Sequence, residues 1–284
     1  MNKRLLEKIR EIDEISQLED FERDNKLFID PYRINEKRGE HLKKGKDKIS
    51  KFFDLFFDAV EKQDREKVKR LGRCLREINA TRIGYTNPEK NPQGRGFSQA
   101  DLLYIYDEAV NIEEHIEDMK DVLMLANRVG PDKVSDLTTN IMYPELLDFT
   151  IEIIQKYKLE IPIEKVDKWV FNSKQEEWEE TEMLVPKIEG EEILFLPKGI
   201  VATYQIFSYE RFYWRGAYPY LKANPAIHRL VRVLKNGEER THCKKLKNEY
   251  PPKRRTVMQF KNDHPKVYKE YKDKMEKDFW RHNY

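Results

Sequence analysis

"PIEKVDKWVFNSKQEEWEETEMLVPKIEGEEILFLPKGIV", residues 162–201, is the stretch that decides the fold class of this chain. Val166, Trp169, Val170, Trp178, Met183, Val185, Ile193, Phe195 and Ile200 alternate with polar residues or run short between turns. That is the period of strands and not of helices. The spacing predicts about three strands in a small antiparallel meander over residues 161–205.

Outside this stretch the apolar residues recur at helical intervals. Leu5, Ile9, Ile12 and Ile15 form one such stripe, and Ile49, Phe52, Phe53, Phe56, Phe57 and Val60 form a longer one. "LFIDPYRIN" between them reads as extended, because Pro31 disfavours helix at Asp30. "REKVKRLGRCLREI" is expected to be helical. Ser98 is placed to cap a helix starting "QADLLYIYDEAVNI", and "EEHIEDMKDVLMLANRV" and "YPELLDFTIEIIQKYKL" extend the pattern. The expected fold is therefore α+β and predominantly α. A helical body occupies 1–160, the meander 161–205, and an aromatic-rich, basic helical region 206–284.

Charge is abundant and unevenly distributed. Charged residues make up 37% of the 284, far above the roughly 25% of ordinary globular chains. Aromatics at 12% still supply enough burial to offset chain entropy. From Lys222 to Tyr284 there are 18 Lys or Arg against 8 Asp or Glu, so a net charge of +2 leaves the first 221 residues at −8. An acidic body followed by a basic region marks a surface for nucleic acid or another anionic partner. Cys74 and Cys243 provide neither a disulfide framework nor a paired-cysteine metal site. The charged amino-terminal stretch has no apolar core of a signal peptide, and no run is long enough to span a membrane, so a cytoplasmic protein with reduced thiols is expected.

Residues 128–142, "RVGPDKVSDLTTNIM", concentrate small polar side chains between two helical patterns. Gly130 and Pro131 are a helix stop and a helix start, and Ser135 or Asp136 can cap a turn. Capping uses one or two of these residues, not six. Asp132 and Asp136, four apart, share one helix face and can hold a hard divalent cation, Mg²⁺ or Mn²⁺. Thr138, Thr139 and Asn140 would then act as polar support or substrate contacts. "GYTNPEKNPQGRGFS", with Gly94, Arg95 and Gly96, is a loop whose amides can meet a phosphate, yet its glycine spacing is not that of a nucleotide loop.

"VGPDKVSDLTTNIM", the following "LLDFT", and "ILFLPKGIV" together resemble a prokaryotic family associated with mobile elements and phage-defence neighbourhoods. In that family a Gly-Pro-Asp, a Ser-Asp-hydrophobic-Thr and a later hydrophobic-Pro-Lys recur in this order. The resemblance covers roughly residues 95–200 and implies a cellular context; it carries no reaction with it.

Lys198 follows an apolar run that ends at Pro197, which places it at a sheet edge. Two aspartates and a lysine form the kind of set that metal-dependent nucleases use, the lysine stabilising charge on the phosphate. The compact acid-x-lysine spacing of such enzymes is absent, since Glu191 and Glu192 lie six or more residues from Lys198. Asp132, Asp136 and Lys198 are the expected catalytic residues, with Lys253, Arg254 and Arg255 as phosphate contacts. "FSYERFYWRGAYPYLKANP" interleaves aromatics with Arg211 and Arg215, a composition that suits a core or interface and also a clamp on single-stranded nucleic acid. The expected function is action on nucleic acid within a defence or mobile-element system, as a metal-dependent nuclease. The alternative is a non-catalytic adaptor that docks an ATPase or nuclease.

Overall fold

The computed structural model describes residues 3–16, 18, 25–34, 36–84, 96–111, 118–126 and 129–283. The glycine loop at 85–95 and the start of the expected helix at 112–117 lie outside them. In chain order the elements are α1 (Lys3–Arg10), β1 (Phe28–Ile29), α2 (Glu40–Glu61), α3 (Arg65–Gly72), α4 (Gln99–Asn111), α5 (Met119–Leu125), α6 (Pro131–Ile141) and α7 (Tyr143–Lys156). They continue with β2 (Ile163–Asn172), β3 (Glu177–Ile188), β4 (Glu191–Glu192), β5 (Val201–Ala202), α8 (Tyr209–Phe212), a π-helical turn (Tyr213–Ala217), α9 (Tyr218–Ala223) and α10 (Pro225–His228). The last are β6 (Val231–Val233), β7 (Glu239–Thr241), α11 (Cys243–Glu249), α12 (Arg254–Asp263) and α13 (Pro265–Asn283). The fold is α+β and mostly helical, with small antiparallel sheets. Among the described residues no helix is long and apolar enough to cross a membrane.

Contacts divide the chain into two units, Met1–Asn111 with Arg128–Gln205, and Ile112–Asn127 with Ile206–Tyr284. The sequence-based division differs in two ways. The meander is part of the first unit, and the segment at 112–127 joins the second.

The meander belongs to the first unit because its tip is fastened to helices. β2 and β3 pair from Ile163↔Pro186 to Asn172↔Glu177, and the Asn172 carboxamide accepts from the amides of Lys174 and Gln175 to close the turn. At that end Phe171 meets Phe52 of α2 edge-on at 5.3 Å, and the Trp178 indole N–H donates to the Leu71 carbonyl of α3 at 2.7 Å. The expected three-stranded antiparallel meander forms in the order β2–β3–β4, with a short third strand. β4 covers only Glu191–Glu192, and the buried run after it is held by separate bonds. Leu194 donates to the Ala80 carbonyl, Phe195 donates to the Thr150 hydroxyl, and the Leu196 carbonyl accepts from Ser16.

α2 shows why the phenylalanine stripe forms a core. Leu42, Ile49, Phe52, Phe53, Leu55, Phe56 and Ala59 are buried at helical spacing. Gly45 lets α2 approach Met142, whose side chain occupies the place a Cβ would take. α1 stops at Arg10, short of the full stripe. Ile12 and Ile15 nevertheless remain buried, packed with Ile153, Ile154, Ile193 and Phe195.

In the second unit Phe212 is fully buried, with its ring edge-on to Tyr268 at 5.0 Å and Tyr271 at 4.9 Å. Beside it Asp121, also fully buried, accepts from the Tyr268 hydroxyl at 2.6 Å and from Lys272 at 2.9 Å. Lys272 reaches Asp118 as well, at 3.3 Å. Burial pushes the Lys272 pKa down, but Asp121 and Asp118 outweigh it and hold the ammonium above its ordinary value. Replacing Lys272 by Met keeps the stem and strands a buried carboxylate, so Lys272→Met should destabilise this unit by about 3–5 kcal/mol in urea unfolding. A loss below about 1 kcal/mol would mean that the pair is dispensable.

Candidate functional site

The polar motif at 128–142 becomes α6. Gly130 is its N-cap in extended conformation and Pro131 its first residue. Most of the helix is buried, so its polar side chains must find partners inside the protein. Ser135 Oγ accepts the Ile29 N–H at 3.0 Å, which ties β1 to the helix. Thr138 and Thr139 donate back to the Val134 and Ser135 carbonyls at 2.7 and 2.9 Å. The Asn140 carboxamide donates to the carbonyls of Arg76 and Asp136 and accepts the Arg76 N–H. The surplus of polar residues thus serves the interior: Thr138, Thr139 and Asn140 are 3%, 2% and 3% exposed and face no substrate.

Asp132 and Asp136 are half-buried on α6. The threonine and asparagine oxygens turn inward and do not add to these two carboxylates. Among the described residues no group of three or more His, Cys, Asp or Glu could hold a metal ion. Two carboxylates would leave the rest of a Mg²⁺ or Mn²⁺ shell to water or to a substrate phosphate.

Lys198 lies elsewhere in the first unit. It sits in the turn before β5, where Gly199 takes a φ of +95° against the Arg38 guanidinium. Its amide donates to the Glu14 carbonyl at 2.8 Å, its carbonyl accepts from Arg38 at 3.1 Å, and its ammonium pairs with Asp13 at 2.9 Å. The turn borders an open groove of about 520 Å³, with Glu14, Arg38, His41, Glu152 and Lys156 also in its wall. Neither Asp132 nor Asp136 lines that groove. The structure therefore brings Lys198 together with Asp13 and Glu14 and not with the aspartates of α6.

Several side chains of the groove are paired with one another. His41 Nε2 is 2.8 Å from Glu152, and Glu14 is held by the Lys156 ammonium and by the Tyr157 hydroxyl at 2.5 Å. No local pattern in the sequence could reveal these partnerships, since His41 and Glu152 are 111 residues apart.

The three basic residues expected to touch phosphate are not equivalent. Lys253 precedes α12 and Arg255 lies in its first turn, both exposed. Arg254 is half-buried; its guanidinium stacks over Tyr209 at 4.9 Å and donates to the Ala126 carbonyl. It is a packing residue of the second unit.

Sequence reasoning did not single out Trp214. It lies in the π-helical turn and is 44% exposed, while its neighbour Tyr213 is fully buried. The Lys247 ammonium stands over the Trp214 ring at 5.0 Å and over the Tyr218 ring at 5.5 Å. The interleaving of aromatics and arginines at 207–225 was the available signal; which of those rings faces water is fixed only by the helix register.

These features place the chain among mixed, mainly helical proteins, with Ser135, Thr138, Thr139 and Asn140 of the polar motif bonded inside the fold. It belongs to the family defined by the domain of unknown function DUF8370, whose model matches residues 10–208. No curated protein and no solved structure matches the chain. The matched span contains α6 and Lys198 and ends close to the Gln205 boundary of the first unit, so the basic stretch beyond lies outside it.

Glu14 provides a pH test of the groove. Its hydrogen bond from Lys156, followed by that from Tyr157, lowers its pKa from 4.5 to about 2. A carboxyl depressed by folding adds stability above its unfolded pKa and loses it as pH falls through the folded value. The melting temperature of the wild type should therefore drop relative to that of Glu14→Gln between about pH 4.5 and about pH 2. Solvent exposure keeps the difference small. Parallel melting curves would show that these contacts do not persist in solution.

Proposed function

We propose that this protein is a nucleic-acid-binding component of a prokaryotic defence or mobile-element system, and that it binds through its second unit without cutting. One observation carries the reading: the two units carry net charges of opposite sign. In the first unit Lys48, Lys51, Lys67, Arg65, Lys168 and Lys187, among others, each meet a carboxylate. That unit carries 33 Lys or Arg against 38 Asp or Glu, a net −5. The second carries 21 against 14, a net +7. Its exposed Lys222, Lys244, Lys245, Lys253 and Arg255 have no ion-pair partner among the described residues. Free cations on a net-positive unit are what counterion release from a phosphate backbone requires. The cellular context rests on the resemblance of the motifs at 95–200.

A nuclease would need Asp132, Asp136 and Lys198 around one phosphate, and the groove beside Lys198 is not lined by either aspartate. The adaptor reading draws support from Ile163 and Leu184, exposed on one face at the base of the β2–β3 hairpin. Such a pair suits a protein contact with an ATPase or nuclease.

Salt dependence tests the proposal. Each phosphate neutralised on a single strand contributes about −0.7 to the slope of log affinity against log salt. Reversing Lys253 and Arg255 to Glu, with Arg254 left in place, should weaken binding and flatten the slope by about 1.4 if both touch phosphate. Unchanged affinity and slope would remove nucleic acid from this end of α12. Failure of the wild type to bind any nucleic acid would favour the adaptor.

A further inference from the structure

We propose that the second unit holds single-stranded nucleic acid by stacking a base on Trp214, with the lysines of α11 taking the neighbouring phosphates. This rests on the nucleic-acid reading above and names the form of nucleic acid and the residue that selects it.

The first support is local geometry. Between α8 and α9 the helix widens into the π-helical turn Tyr213–Ala217. Phe212, Tyr213 and Ala217 are fully buried on one side of the turn, and Trp214 is left facing water. A π-helical insertion is unusual and is often retained where it aims a side chain for function. The exposed part of the indole is a surface on which another ring can stack.

The second support is rigidity. Tyr213 is anchored by its hydroxyl, which donates to the Tyr250 carbonyl at 2.6 Å. Its ring meets Trp214 at 4.8 Å and 88°, and Tyr218 meets Trp214 at 5.4 Å and 63°. Held edge-on by two rings, the indole is fixed before a ligand arrives, which lowers the entropic cost of stacking.

The third support is charge. Lys247 stands over the ring at 5.0 Å, and Arg215, the next residue in the chain, is exposed. Lys244 and Lys245, exposed on the same short helix as Lys247, have no ion-pair partner among the described residues. A half-exposed indole with the Lys247 ammonium over it, and two further lysines on the same helix, matches a ligand that alternates flat rings with phosphates. A duplex keeps its base faces stacked inside and can offer this site only phosphates. A single strand offers both. An apolar protein partner would leave these cations without compensation.

Titration of the full chain with a thymidine oligonucleotide, followed by tryptophan emission, tests the proposal. The strand should quench the wild-type emission. Trp214→Ala should lower single-strand affinity about tenfold or more, given the usual strength of base–aromatic stacking, and leave duplex affinity unchanged. Trp214→Phe keeps a stacking face, so it should retain most of the affinity and lose the quench. That variant also guards against a folding defect in Trp214→Ala. Wild-type single-strand affinity in Trp214→Ala, with the loss on reversing Lys253 and Arg255 still present, would overturn stacking while the nucleic-acid reading stands. Absence of binding to either form by the wild type would overturn both.

Discussion

The constraint on which this molecule depends is the matching of cations to carboxylates. The chain holds 54 Lys or Arg and 52 Asp or Glu, and many of them stand in pairs, as Lys198 does 2.9 Å from Asp13. Pairs of this kind at the surface contribute little stability each. Their functional consequence is larger, because they decide which charges remain free for a polyanion. In the first unit the matching extends into the groove around Lys198. In the second, the buried charge of Asp121 is met by Lys272 while the surface lysines of α11 and the start of α12 stay open.

The same rule, applied to uncharged groups, explains α6. A helix that crosses a core with hydroxyls and a carboxamide must satisfy them locally. Thr138 and Thr139 do so on the preceding turn, Asn140 joins the helix to the backbone of Arg76, and Ser135 holds the strand at Ile29. Because β1 pairs with β5, that one Ser135 contact also fixes the segment that follows Lys198. The motif thus shapes the first unit and is an indirect support of the groove.

Much of the architecture was legible in the sequence. The alternation at Val166–Val170 and the phenylalanine stripe at 52–57 gave the hairpin and α2, and Gly130–Pro131 marked the start of α6. The third strand also forms, but the apolar residues from Ile193 to Leu196 lie beyond it and are buried by contacts from α7 and the amino-terminal segment, a burial that produces the same pattern as a sheet. The role of the polar motif was also hidden. Asp, Ser, Thr and Asn in a helix look alike whether they face a ligand or a neighbouring backbone, and only the tertiary partners distinguish the two. Equivalence within Lys253, Arg254 and Arg255 failed for a similar reason, as Tyr209 and the Ala126 carbonyl are remote in sequence. Charge asymmetry, by contrast, is a property of composition and was legible at once.

On the proposed reading, nucleic acid sits on the second unit and not on α6 or the groove. Ultraviolet cross-linking of a bromouridine-substituted single strand to the full chain, followed by peptide mapping, addresses it directly. The account predicts adducts in peptides containing Trp214, Tyr218 or the lysines of α11. Adducts confined to peptides of α6 or to those around Lys198 would contradict it.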